Sequence, residues 1–376
     1  MGEEEIHEVV DTIRSGWIGT GPKVQRFEQE FAAYVGAKYA ISVNSCTAGL
    51  FLSLVALGIG PGDEVITTPL TFAATVNVIE HVGARPVLVD IEPNTLNISP
   101  GLVEEAVTTR TKAIIPVHFG GLACDLDALE GIAMQHELAI IEDAAHAVGT
   151  RYNGIMAGAF GILAAFSFYA NKNLTTAEGG MVTTDDPKLA EMIRLLRLHG
   201  LSGDAWKRFA NRRLMKCDIL LPGYKCNMPD LMASIGIHQL SKQEQFLEIR
   251  QRYAHIYDQA FVDLPVRLQP RPRDLKRNRH SLHLYVLILE ASRWRVHRDK
   301  VIDSLLMENI GAAIHYRAIH MHPYYREKYG YQAEDYPHAC EVGENILSLP
   351  LTPGMSEDDV AMVVAAVRKV ARNYVY

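Results

Sequence analysis

Short apolar runs alternate with helical patterns through the first two thirds of this chain, and that alternation restricts the possible folds most. Residues 48–59, AGLFLSLVALGI, read as a helix ended by the turn GPGD. EVITTP follows as a strand, and AATVNVIEHVG as a helix closing at Gly83. RPVLVDI, TKAIIPVHF and ELAIIEDAA read as three more strands, and ILAAFSF as another. Apolar runs of this kind between helices suit a mostly parallel sheet covered on both faces. Such a sheet takes ligands outside the carboxyl ends of its strands. The residues to watch are therefore those at strand ends: Thr71, Phe72, Asp90, His118, Asp143 and Ser167.

The pattern changes after Gly223. Residues 228–261 read as one long helical stretch with few breakers, bridging to a second domain. RLQPRPRDLKRNRHS is basic and loop-like, LHLYVLIL a strand, VHRDKVIDSLLMENIG a helix with a glycine stop, and AAIHYR a strand. Ser356 with Asp359 three residues on starts a closing helix with a capping-box pattern. The 376 residues, 48% of them hydrophobic, suffice for two domains. The expected division is a large α/β domain over 1–245 and a smaller α+β domain over 246–376.

Charge and cysteine usage exclude several classes. The 37 basic and 44 acidic side chains leave a net charge of −7, against a nucleic-acid surface. The start, MGEEEIHEVVDTIRSG, is acidic and amphipathic, unlike a signal peptide. No run reaches the ~18–20 apolar residues of a membrane span. Cys46, Cys124, Cys217, Cys226 and Cys340 are scattered, odd in number and without a CxxC, so neither zinc nor a disulfide framework is expected. The 15 histidines show no metal spacing, and HExxH and GxSxG are both missing. A reduced cytoplasmic protein is the expectation.

Two residues carry the chemistry. Asp143 lies just past an apolar strand, where a carboxylate either caps a helix or faces a buried cation such as a protonated ring nitrogen. Lys172 lies 29 residues further on, in SFYANKNLTTAEGG, past another strand. Alone it would read as a solvated surface lysine. Together the two fall at carboxyl ends of what can be one sheet. Ser167 and Ser45–Thr47 add hydroxyls, and Thr47 with the Ala48 amide opens a helix, where N–H groups favour a phosphate. Phe72 offers a stacking face. A lysine, an aspartate, a phosphate cradle and an aromatic ring match the needs of pyridoxal phosphate, with lysine as Schiff-base amine and the ring as electron sink. A nicotinamide oxidoreductase would want GxGxxG straight after a strand; GIGPGD precedes one.

Seven motifs occur in order: GTGP at 19–22, SCTAGL at 45–50, GDEVITTPxTFxAT at 62–75, PVxVDI at 86–91, IEDAAHAxG at 141–149, SFxxxKNxTxxEGG at 167–180 and PGYKxNMxD at 222–230. This series resembles the DegT-type nucleotide-sugar aminotransferases, pyridoxal-phosphate enzymes of the aspartate aminotransferase fold (fold type I). The resemblance covers nearly the whole chain and implies a mostly parallel seven-stranded sheet with a smaller C-terminal domain. It implies that Lys172 forms the internal aldimine and shuttles the proton, that Asp143 pairs with the pyridine nitrogen, that His146 lies near the ring oxygen and that Phe72 stacks on the ring. Thr47, the Ala48 amide and Ser167 would hold the phosphate. In relatives the GYKxN loop reaches the phosphate of the neighbouring subunit, so Lys225 or Asn227 and a homodimer with shared active sites are implied. Ala177 stands where many relatives have glycine.

The segments IGAAIHYRAIHMHPYYREKYG and SLPLTPGMSEDDV resemble the branch that makes UDP-4-amino-4-deoxy-L-arabinose, and the PGYKxNM loop resembles enzymes that aminate C4 of the sugar. The implied reaction moves an amino group from glutamate to a nucleotide-linked 4-keto sugar through pyridoxamine phosphate. It would serve polysaccharide or lipopolysaccharide synthesis. His315, Tyr316 and Arg317 would line the sugar or diphosphate pocket; as residues alone, they equally fit a small-domain strand. The competing readings are a 3-aminotransferase, a sugar dehydratase of the same fold and a non-catalytic regulatory member. The dehydratases carry histidine in place of the Schiff-base lysine, and a binding module has no need of one, so Lys172 speaks against both.

Overall fold

The computed structural model describes residues 1–202, 218–272 and 274–376. Seven strands form the main sheet: β1 (Tyr39–Val43), β2 (Glu64–Thr67), β3 (Arg85–Leu88), β4 (Thr111–Ile115), β5 (Ala139–Asp143), β6 (Leu163–Ser167) and β7 (Gly180–Thr184). Their spatial order is β1-β7-β6-β5-β4-β2-β3. Only β7 runs against its neighbours β1 and β6; the other pairings are parallel. Every residue of β2, β6 and β7 is buried, the polar Glu64, Thr67, Thr183 and Thr184 included, so these strands show no alternation of buried and exposed positions. Regular pairing is shorter than the apolar runs suggest. TKAIIPVHF stops being a strand at Ile115 because Pro116 has no N–H to continue the ladder.

The helix Cys46–Ala56 lies against β6 and β7. It comes so close that a Cβ on Gly180 would sit 2.5 Å from the Ser45 carbonyl carbon, so only glycine fits there. Ala177, three residues earlier, has φ +69°. This left-handed conformation explains why glycine suits the position. Ala177→Gly is expected to stabilise the fold by about 0.5–1 kcal/mol in urea unfolding, relief of the Cβ clash outweighing the entropy of a freer unfolded chain.

A second, antiparallel sheet comprises β8 (Val266–Arg267), β9 (Tyr285–Leu289) and β10 (Ile346–Leu349). It packs with the helices Gln243–Ala260, Arg298–Met307 and Glu357–Tyr374 around a core including Tyr253, Tyr257, Phe261, Leu287 and Val367. The last helix starts as its sequence predicts: Ser356 Oγ accepts from the Asp359 amide at 3.1 Å, and the Asp359 carboxylate accepts from the Ser356 amide at 2.8 Å. Buried Arg250 donates to the carbonyls of Leu282 (3.1 Å) and Leu351 (2.7 Å), tying the Gln243–Ala260 helix to the segments flanking this sheet.

Three expectations change. Residues 228–261 are two helices, Asp230–Ser241 and Gln243–Ala260, broken at Lys242. Its ammonium is anchored to Glu4 (2.9 Å) and Glu5 (2.8 Å) of the N-terminal helix. The helix beginning at Arg298 ends at Met307 and turns through Asn309 (φ +62°), not at the glycine. AAIHYR is not a strand. It makes a single bridge, Ala313 to Ser348, and then turns toward the main sheet.

Among the described residues no helix is long and apolar enough to cross a membrane, and no cluster could hold a metal ion. Cys46, Cys124, Cys226 and Cys340 are free thiols; Cys217 lies outside the described residues.

Candidate active site

Asp143 ends β5 at the carboxyl edge of the main sheet, 5% exposed. Its Oδ2 accepts from Thr75 Oγ1 at 2.7 Å and its Oδ1 from the Ala145 amide at 3.1 Å. Burial raises the pKa of this carboxyl above the ordinary aspartate value, against the pull of Thr75, Ala145 and Lys172. Lys172 lies five residues past β6, its backbone amide turned back onto the Tyr169 carbonyl at 3.0 Å. Burial lowers the pKa of its ammonium from 10.5 to about 8, against the opposing effect of Cys46 and Asp143. Among the described residues the Lys172 ammonium has no hydrogen-bonding or ion-pair partner, Asp143 included. A half-buried amine and a buried carboxylate that interact electrostatically without bonding each other are what a Schiff-base lysine and a partner for a ring nitrogen require. The residues present therefore fit pyridoxal phosphate.

His146 lies nearby, 6% exposed. Its Nδ1 accepts from the Gly120 amide at 3.3 Å, so the proton sits on Nε2, which faces Tyr316 Oη at 3.1 Å. The phenol accepts there, and its own proton is left for a ligand. Burial, with Lys172 and His315 adding to it, takes the His146 pKa well below the usual histidine value and keeps the ring neutral. His315 bonds Ser348 Oγ at 2.9 Å and is brought down to about 4 by burial and Lys172. Phe72 is 61% exposed, its ring centroid 6.0 Å from that of Tyr316. Arg317 is exposed and has no side-chain partner among the described residues.

Ser45 N-caps the Cys46–Ala56 helix, its Oγ accepting from the Ala48 amide at 3.1 Å. An anion at this helix start would share or replace that acceptor. Thr47 is exposed beside it, and Ser167 Oγ accepts weakly from the Tyr169 amide at 3.4 Å. Lys225 is exposed and donates to Asn227, whose amide donates to Thr20 Oγ1 at 2.7 Å. The Cys226 carbonyl accepts from the Asn44 amide at 2.7 Å, which ties this loop to the turn before the helix. Two of the strand-end residues have structural partners instead. Asp90 accepts from the His338 and Ala339 amides at a helix start, and His118 pairs with Glu142 at 2.9 Å.

Cys46, Thr75 and His283 also stand at this site without any mark in the sequence that singles them out. The Cys46 thiol donates to the Ala165 carbonyl at 3.3 Å and lies 3.9 Å from Asp143 Oδ1. The His283 ring centroid is 4.4 Å from that of His146, with Nδ1 3.3 Å from Asn173 Oδ1. SCTAGL and FxAT did contain Cys46 and Thr75, but spacing gave no reason to select them.

This sheet, with its unpaired lysine opposite a buried aspartate, defines a pyridoxal-phosphate enzyme of fold type I. The chain belongs to the DegT/DnrJ/EryC1/StrS aminotransferase family, whose model matches residues 1–368, and it is an aminotransferase. It is 52% identical to the spore coat polysaccharide biosynthesis protein SpsC of Bacillus subtilis over 374 residues, 99% of this chain and 96% of that protein. The putative sugar aminotransferase Spr1654 of Streptococcus pneumoniae, solved in its PMP form, superposes with a TM-score of 0.92 at 35% identity, covering 99% of this chain and 98% of its own. PseC of Helicobacter pylori, an aminotransferase involved in pseudoaminic acid biosynthesis, does so at 0.91 and 26% identity, covering 99% and 97%.

Proposed function

We propose that this aminotransferase moves the amino group of glutamate onto the carbonyl carbon of a nucleotide-linked 4-keto sugar, in the synthesis of a surface polysaccharide or lipopolysaccharide. The observation that carries the reading is Lys172: a half-buried amine, lowered to about 8, that feels a buried carboxylate without pairing with it. Bound pyridoxal phosphate supplies an aldehyde and an electron-withdrawing ring that takes up the charge left when a proton leaves carbon. Lys172 holds the cofactor covalently and then, as a free amine, carries the proton between carbons. Asp143 keeps the ring nitrogen protonated. Phe72 stacks on the ring, His146 lies near its oxygen, and Thr47, Ala48 and Ser167 hold its phosphate.

His315, Tyr316 and Arg317 take the sugar and its diphosphate; the unpaired Arg317 guanidinium suits an anion. The names of SpsC and PseC, which refer to spore coat polysaccharide and pseudoaminic acid, support a sugar substrate. The working unit is a homodimer in which the GYKxN loop completes the partner's phosphate site. Lys225 is the better candidate for that contact, because its exposed ammonium carries the charge and keeps two N–H donors after bonding Asn227.

A panel of nucleotide 4-keto and 3-keto sugars, incubated with glutamate and the loaded enzyme, tests the reading, with product NMR to locate the new amine. Amination at C4 is the expected result. Amination confined to 3-keto sugars, or glutamate failing where another donor works, would overturn it.

A further inference from the structure

The Asp143 carboxylate is held by a hydroxyl at Oδ2 and a backbone amide at Oδ1, not by a cationic side chain. Thr75 Oγ1 donates to Oδ2 at 2.7 Å, and Thr71 Oγ1 lies 2.8 Å from Thr75 Oγ1. A hydroxyl has one proton. Thr75 spends its proton on Asp143, so Thr71 must be the donor to Thr75. Both threonines are buried, 2% and 1% exposed, and the two O–H dipoles line up toward the carboxylate. Chained hydrogen bonds of this kind reinforce each other in a low-dielectric interior. Thr75 sits in the first turn of the helix Ala73–His81, just after Phe72, so one loop brings both the aromatic face and the hydroxyl pair.

We propose that Thr75, backed by Thr71, is a positioning pair that fixes the rotation of the Asp143 carboxylate and holds it ionised for the cofactor's ring nitrogen. The proposal rests on Asp143 serving that nitrogen. The titratable groups facing Asp143 are Lys172, Cys46, His118 and Tyr316; none of them bonds Oδ2, and the Cys46 proton is directed at the Ala165 carbonyl.

The readout is the pH at which the visible band of the bound cofactor changes in the holoenzyme. A protonated ring nitrogen withdraws electrons and acidifies the nitrogen joining Lys172 to the cofactor. Weakening Asp143 therefore moves that midpoint upward. Thr75→Val keeps the shape and removes the hydroxyl. Its midpoint is expected to rise by up to about one pH unit, the equivalent of one hydrogen bond to a charged acceptor. Thr75→Ser is expected to restore the wild-type midpoint, and Thr71→Val to give a smaller rise. A Thr75→Val midpoint equal to that of wild type overturns the pair. If that variant does not fold, Thr71→Val decides, a rise supporting the proposal and an unchanged midpoint overturning it. Asp143→Asn separates the two levels. If it too leaves the midpoint unchanged, the role of Asp143 fails; if it shifts the midpoint while Thr75→Val does not, only the threonine pair fails.

Discussion

Lys172→Ala is expected to lower amine transfer by a factor on the order of 10⁴ or more, because one substitution removes both the covalent anchor and the general base. The visible band of the lysine-bound cofactor should disappear with it. The wild-type apoprotein should take up pyridoxal phosphate with a rate that levels off above pH 8, since the Lys172 ammonium is brought down to about 8. At that pH roughly half of its amine is free, against under about 1% for an ordinary lysine. Stopped-flow absorbance of reconstitution against pH measures this directly. An inflection above pH 10, or a Lys172→Ala variant turning over at the wild-type rate, would contradict the role of the residue.

Asp143→Asn is expected to cost a factor on the order of 10² to 10³ in single-turnover amine transfer, the scale for losing one preorganised electrostatic group. The apoprotein should be no less stable at neutral pH, and the sign follows from burial. Asp143 binds its proton more tightly in the folded chain than in the unfolded one, so ionising it works against folding as pH rises. A neutral amide of the same shape escapes that cost and keeps one acceptor oxygen, which can serve Thr75. Calorimetry of the apoprotein, set beside single-turnover kinetics, separates the two effects. Equal rates for variant and wild type would remove Asp143 from the chemistry, and a collapse of apo stability would make it a structural residue.

The placement of Asp143, Ser167 and Lys172 at or just past strand ends was legible because strand ends can be read from hydrophobic runs. The capping box at Ser356 was legible for a similar reason: both partners lie within one turn. Thr75 was not, because its hydroxyl finds Asp143 across 68 residues and nothing local marks it. The break at Lys242 depends likewise on two acids at the far end of the chain. His315 and Tyr316 lie in a segment with strand-like composition. That segment leaves the second sheet after one bridge because Tyr316 is drawn to His146, which is 170 residues away.

Order along the chain thus marks the parallel strands β2 to β6 and the side chains at or just past their ends, because burial on both faces writes itself into contiguous residues. Whether a lysine and an aspartate then face each other unpaired, which hydroxyl orients the acid and which phenol keeps a proton to give are matters of distance across the fold. Those distances arise only when the strands take their places in the sheet and the later segments close over its edge.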